Sequence, residues 1–380
     1  MRTDPFIVVA AGAVPLFAFG EVVFTTGMVG YPESLSDPSY RGQILVMTNP
    51  LIGNYGVHTD LLESDGVQVT SLVIHELTDA PHRSSKLSLQ EWFDKYDVPI
   101  MEWVDTRALT KELRERGVMK GAIEIWDSEE DLNSLWKALE EAPSYDELDL
   151  VDEVSPREAI HQSDSRPLVA VIDCGLKLGI VRELLRRGLG VVRLPCRSSA
   201  DDVWETKPDA LLLGNGPGNP ELLKSQGEMA VELASDGLVT FGICLGHQLI
   251  SLGLGAETYK MRYGHRGQNK PVRDLRTGRC YVTSQNHGYA VRRESLREAN
   301  LREWFINPDD STLEGAYHEE LPIATTQFHP ESSPGPIDTS WLFDLFAEAV
   351  REGRWICEEG PSHWLGRYKD SRGSRIRLQR

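Results

Sequence analysis

The stretch LVAVIDCGLKLGIVRELLRRGLGVVRLP, residues 168–195, decides the fold. LVAVID is a short apolar run with β-branched residues, the pattern of a buried strand. KLGIVRELLRRG places its apolar residues at helical spacing and stops at Gly188, and VVRLP returns to a strand. Strand, helix and strand in so short a span make a βαβ unit, which needs a parallel sheet. The rhythm continues downstream: DALLLGNGPGNP (209–220) is a strand running into a Gly/Pro loop, and ELLKSQGEMAVELA (221–234) is a helix. LVTFGIC (238–244) is again a strand and LGHQLISLGLG (245–255) a helix. The expected fold class is therefore α/β, with a mostly parallel central sheet flanked by helices. In such sheets sites form beyond the carboxyl ends of the strands.

Upstream the pattern differs. EVVFTTGMVGY (21–31), QILVMT (43–48) and VQVTSLVIHEL (67–77) are apolar runs punctuated by turn residues, so residues 1–142 are expected to form a strand-rich α+β domain. Helices are predicted over Ser88–Tyr96, Thr106–Gly117 and Ser128–Ala142. Residues 143–167 are polar and acidic without apolar periodicity and are taken as a linker. The second domain spans residues 168–350, and 351–380 is a tail with no assigned role.

Forty basic residues against 58 acidic leave a net charge of −18, which repels phosphate backbones and anionic lipid. Nucleic acid and membrane are not expected partners. The five cysteines are widely spaced and contain no C-x-x-C pair, which argues against a disulfide framework or a cysteine zinc site and for a reduced, cytoplasmic protein. Phe6–Gly20 is apolar behind Arg2, as in a secretion signal, but Asp4 dilutes the charged start and Pro15 interrupts the run. A pair of buried strands explains it as well.

The chemistry lies in the loops after the strands. In FGICLGHQ (241–248), Cys244 stands between a strand and a helix, with Gly242 and Gly246 on either side. This is the thiol counterpart of the G-x-S-x-G elbow. The helix amino terminus offers free N–H groups and the positive end of a dipole, which lower a thiol's pKa and stabilise an oxyanion. A buried structural cysteine would sit equally well there, and this segment alone does not separate the two. A thiol nucleophile needs a base and an orienting group. His329 and Glu331, in FHPESS after the strand IATTQF, supply that pair of types, with a rigid proline between them. The H-x-E spacing also evokes zinc chemistry, but no third ligand accompanies it, and no metal is expected. Gly216 and Gly218 in GNGPGNP free backbone N–H groups, while no phosphate-binding glycine motif is present.

GNGPGNP, FGICLGHQ, QNHGYAV (285–291) and FHPE, in this order, resemble class I glutamine amidotransferase domains. The first domain is similar to that of the carbamoyl phosphate synthetase small-subunit family, through GEVVFTTGMVGYPESLSDPSYRGQILVMTNPLIGNYGV (20–57) and VDTRALTKELRERG (104–117). DCGLKLGIVREL (173–184) and MRYGHRGQNKPV (261–272) match the same family. The resemblance implies a glutaminase with Cys244 as nucleophile, His329 as proton carrier and Glu331 holding the imidazole. It implies an oxyanion hole from the N–H groups of Leu245 and Gly216. It also implies an L-glutamine pocket lined by Gly218, Gln248, Asn286, Gly288 and Tyr289, with Ser39 reaching in from the first domain. Tyr289 stands where many relatives have Phe, and His247 and His287 are taken as structural supports. The ammonia released would pass to a large ATP-dependent synthetase subunit, making carbamoyl phosphate from bicarbonate for arginine and pyrimidine synthesis. ATP and a divalent metal belong to that partner, and no cofactor is expected in this chain.

Two features depart from the family. Its opening hairpin with an Asp-Gly turn is not evident in residues 1–19, and residues beyond Arg351 have no counterpart. Two other readings compete: the amidotransferase arm of guanylate or anthranilate synthesis, and a non-enzymatic docking homologue. The first domain argues against the former, and the intact Cys244, His329 and Glu331 set against the latter.

Overall fold

The computed structural model describes residues 6–11, 16–78, 82–83, 85–126, 132–353 and 355. Two sheets organise them, one of six strands and one of ten.

The centre of the larger sheet is the parallel array that residues 168–255 predict. Its strands run Ile323–Thr326, Val239–Ile243, Ala210–Leu213, Leu168–Asp173 and Gly190–Pro195, each parallel to its neighbour. Alternate residues face opposite sides, so both faces must be covered. Val169, Val171, Phe241 and Ile243 pack with Phe343 and Phe346 of helix Trp341–Glu352. Ala170, Ile172, Leu211 and Leu213 pack with Leu233 of helix Lys224–Ser235 and Leu249 of helix Leu245–Gly253.

Antiparallel strands extend this array on both sides. The largest addition is a long bulged pair, Thr258–Asp274 with Cys280–Val291, which carries the QNHGYAV and MRYGHRGQNKPV segments. Ile160–Ser163 adds the opposite edge. The stretch read as a linker is thus partly built into the sheet. Tyr145, Leu150 and Val151 are buried, and so few apolar residues give no period by which the sequence could reveal them.

The end of the second domain also needs correction. Arg351 and Glu352 close the last helix, and Trp355 packs on Phe241 and Phe346, its indole donating to the Thr240 carbonyl at 3.2 Å. The core therefore reaches past residue 350, while 356–380 lie outside the described residues.

The smaller sheet has the order Phe6–Ala11, Met119–Trp126, Leu16–Thr25, Gln43–Met47, Ser71–Val73 and Ile100–Met101. The apolar run 6–20 does hold two strands, but they do not pair with each other. Met119–Trp126 lies between them, parallel to the first and antiparallel to the second. Helix Leu89–Asp94 starts at a reciprocal Ser88–Glu91 capping box, and Asp105 caps Thr106–Arg116. The third predicted helix is Leu132–Glu141, its expected start at Ser128 lying outside the described residues.

Two buried carboxylates of the first domain tie the halves together beside the strand ends. Glu63 accepts from the Gly179 amide at 2.9 Å and pairs with Arg182, and it accepts from the Ser333 hydroxyl at 2.6 Å. Asp37 caps the turn at Ser39 and accepts from Asn286 Nδ2 at 3.0 Å.

Candidate active site

Strand Val239–Ile243 runs into helix Leu245–Gly253 with no loop, and Cys244 occupies the junction at φ 56°. A non-glycine residue there is in the left-handed region, which costs energy and projects its side chain sharply out of the turn. The strain is held by the Cys244 amide donating to the Thr326 carbonyl at 2.8 Å. Close packing does the rest. A Cβ on Gly246 would lie 2.1 Å from the Leu213 carbonyl oxygen, so only glycine lets the helix begin against the neighbouring strand. As the first helical residue, Leu245 has an N–H with no acceptor inside the helix.

His329 follows the adjacent strand Ile323–Thr326, and its amide donates to the Ser284 carbonyl at 2.9 Å. Its Nδ1 lies 2.7 Å from Glu331 Oε1. The ring and carboxylate are both almost fully buried, and the same Oε1 accepts from Lys177 Nζ at 2.6 Å. Lys177, Glu331 and His329 thus form a buried row of alternating charge. Burial favours the neutral imidazole, but the Glu331 carboxylate overrides it, with help from the Cys244 sulfur, and the His329 pKa is pushed up to about 10. Burial likewise favours a protonated Glu331, yet Lys177 and His329 hold it down to about 2. His329 Nε2 has no conventional hydrogen-bond partner and is left to the sulfur of Cys244. The sulfur makes two long contacts of its own, to the Asn286 carbonyl at 3.6 Å and from Gln327 Nε2 at 3.7 Å.

Cys244 opens into a cleft, and every residue expected to bind substrate lines it: Ser39, Gly216, Gly218, Leu245, Gln248, Asn286, Gly288 and Tyr289. Several of them are held by a hydrogen bond or a tight approach. Ser39 Oγ accepts from Asn215 Nδ2 at 2.9 Å. Gly216 lies so close to the Cys174 carbonyl that a Cβ would approach it to 2.1 Å. The Gly218 amide donates to the Tyr145 hydroxyl at 3.0 Å. Gln248 Nε2 donates to the Tyr289 carbonyl at 2.9 Å and to Gln327 Oε1 at 3.0 Å. The Tyr289 hydroxyl donates to Asp146 Oδ1 at 2.5 Å, a bond that Phe could not make.

Several lining or supporting residues escaped the sequence reading. Lys177 has an ordinary place at a helix start, and only the fold brings it to Glu331. Glu21 and Lys260 line the cleft and pair at 2.7 Å, with Lys260 also reaching Asp146 at 2.5 Å. Arg266, within the family-matching segment 261–272, lines the cleft as well.

His247 and His287 lie outside the charged row. His247 Nδ1 sits 2.8 Å from Thr325 Oγ1, and burial pulls its pKa down to about 3. His287 Nδ1 sits 2.8 Å from the Tyr289 carbonyl oxygen. Among the described residues one group has the composition of a metal site: His265, His287 and Glu314, with ligand atoms within 4.8 Å of one another. Ion pairing engages His265, while His287 Nε2 and Glu314 Oε2 have no hydrogen-bond partner. His265 lies between Asp310 at 2.8 Å and Glu314 at 3.2 Å. Burial opposes its protonation, but these two carboxylates push its pKa up to about 9.

Comparison with known proteins accounts for both sheets. Residues 170–349 match the family profile "Glutamine amidotransferase class-I", and residues 7–123 match "Carbamoyl-phosphate synthase small chain, CPSase domain". The chain is 51% identical over 336 residues to the carbamoyl phosphate synthase small chain of Pyrobaculum aerophilum, covering 88% of this chain and 94% of that one. It is 47% identical over 348 residues to that of Pyrococcus furiosus, covering 88% and 92%. With that of Metallosphaera sedula it shares 45% over 341 residues, covering 87% and 90%. Matches to both domains and along nearly the full length of these relatives leave one conclusion: the chain belongs to the carbamoyl phosphate synthase small-chain family, with a class I glutamine amidotransferase domain.

Proposed function

We propose that this chain hydrolyses L-glutamine to glutamate and ammonia through Cys244, His329 and Glu331. The observation that carries the reading is the strained Cys244 turn beside the buried His329–Glu331–Lys177 row, at the mouth of one cleft. The Cys244 sulfur attacks the carboxamide carbon, with His329 holding the thiol proton. The oxyanion is met by the N–H groups of Leu245 and Gly216. His329 then protonates the leaving nitrogen, ammonia departs, and a thioester remains on Cys244. A water deprotonated by His329 attacks that thioester, glutamate leaves, and the thiol is regenerated. Glu331 keeps the imidazole oriented and charged, and Lys177 holds the Glu331 carboxylate in place and ionised. Glu21, Lys260 and Arg266 put both signs of charge in the cleft, as an amino acid with an ammonium and a carboxylate requires.

The ammonia is consumed by a large synthetase subunit that carries the ATP and divalent-metal chemistry, making carbamoyl phosphate from bicarbonate for arginine and pyrimidine synthesis. No residue pattern in this chain would phosphorylate bicarbonate, and no cofactor is assigned to it. The net charge of −18 and the absence, among the described residues, of any helix long and apolar enough to cross a membrane fit a cytoplasmic partner of that subunit. Glutamine-dependent carbamoyl phosphate formation by the complex, with ammonia supplied separately as the control, tests the assignment.

Ser39 gives a test of the pocket. Its Oγ accepts from Asn215, which leaves the hydroxyl proton to donate into the cleft. Ser39→Ala is expected to raise the glutamine KM about tenfold while kcat changes little, as loss of uniform binding does. A fall in kcat with unchanged KM would remove Ser39 from ground-state binding.

A further inference from the structure

Cys174 and Cys196 are both buried, and their sulfurs lie 2.8 Å apart. Nothing in the glutaminase chemistry uses either thiol. Their placement follows from the sheet. Asp173 and Pro195 are the last paired residues of two adjacent parallel strands, and the two cysteines are the next position on each. Neighbouring strands run about 4.8 Å apart, within the roughly 4.4–6.8 Å that a disulfide bridges between Cα atoms. The sulfurs already lie closer than non-bonded sulfur atoms ordinarily approach, and both point to the same face. Twenty-two residues separate the two along the chain and no C-x-x-C motif joins them, so the pair is not visible in the sequence.

We propose that Cys174 and Cys196 close to a disulfide that clamps the carboxyl ends of these two strands beneath the candidate active site. The clamp would act where the site is assembled. The Cys174 carbonyl abuts Gly216, the Gly175 carbonyl accepts from Asn215 Nδ2 at 2.9 Å, and the Lys177 amide donates to Asn215 Oδ1 at 3.0 Å. One short segment therefore seats both the loop of Gly216 and the lysine that pairs with Glu331.

The oxidant is a small disulfide such as glutathione disulfide. A thiolate of the pair attacks it, giving a mixed disulfide and releasing one small thiol. The second cysteine then attacks the protein sulfur of the mixed disulfide, forming the Cys174–Cys196 bond and releasing the second small thiol. Two protons and two electrons pass from the cysteines to the oxidant. The contact with Cys196, and burial after it, push the Cys174 thiol up and hold it protonated in the closed state. Entry is therefore expected through an opening of the turn at Arg197, which is exposed.

The full chain would be incubated with glutathione disulfide, denatured, alkylated and mapped by mass spectrometry, with dithiothreitol-treated protein alongside. Oxidation is expected to remove two titratable thiols and the mass of two hydrogens, in a linked peptide pair containing Cys174 and Cys196. The thermal midpoint should rise by about 5–10 °C over the reduced protein, the scale expected for a loop of this length. Dithiothreitol should reverse both changes. The Cys174→Ala/Cys196→Ala variant should lose the redox-dependent shift. Mapping the unmutated chain decides the matter even if that variant fails to fold. An unchanged thiol count, or linkage through Cys280 or Cys357 instead, would overturn the proposal.

Discussion

Cys244→Ser is expected to lower glutamine hydrolysis by about 10³-fold or more, while the complex with the large synthetase subunit keeps its ammonia-dependent activity. The turn at φ 56° and the tight packing of Gly242 and Gly246 depend on the backbone, so serine should be accepted without unfolding. What changes is the nucleophile. A serine hydroxyl is far less acidic than a thiol and a much weaker nucleophile, so the attack on the carboxamide loses most of its driving force. Hydrolysis and synthesis measured on the same preparation separate the two effects. Retained glutamine-dependent turnover would remove Cys244 from the nucleophile's role, whereas loss of both activities would point to a structural defect.

How much of this was legible beforehand follows from which interactions are local. Strands buried on both faces are continuous apolar runs, so LVAVID, ALLL and VTFGI announced the parallel sheet directly. Cys244 was legible because the elbow is a local device that needs its glycines close by. His329 and Glu331 were legible because one rigid loop holds both. Lys177 was not, since 154 residues separate it from Glu331 and nothing about a lysine at a helix start marks it as buried. Glu63 and Asp37 escaped for the same reason, being acidic residues in polar loops until the second domain covers them. The Thr258–Val291 strand pair escaped for another: bulges break its alternation, and Lys, Arg and His along it serve the cleft rather than a core.

Glu331→Gln tests the charged row, and its expected effect on stability is as large as that on rate. Glu331 Oε1 is shared by two cations, Lys177 and His329, and all three side chains are buried. Glutamine keeps the shape and can still accept from the Nδ1–H of His329, but it removes the only anion of the row. Lys177 then loses its direct ion pair and keeps only the more distant carboxylates of Glu63 and Asp37, and breaking such a buried pair costs about 3–5 kcal/mol. Burial and Lys177 now act together on the imidazole, so it is expected to lose its proton and kcat to fall by about 10²–10⁴-fold. His329→Ala, which removes the proton carrier itself, should cost still more in kcat. The stability difference between wild type and Glu331→Gln has a pH signature. Glu331 is lowered from 4.5 to about 2, so its contribution is complete above 4.5 and is lost as the pH falls towards 2. His329 is raised from 6.5 to about 10, so its contribution is complete below 6.5 and is lost as the pH rises through 10. The difference should therefore be greatest between pH 4.5 and 6.5. Lys177→Met added to Glu331→Gln removes the stranded charge, and the double variant should regain most of the lost stability without regaining activity. Denaturant unfolding and glutaminase kcat of the three proteins decide it. If the double variant is no more stable than Glu331→Gln alone, Lys177 is not the charge that Glu331 compensates.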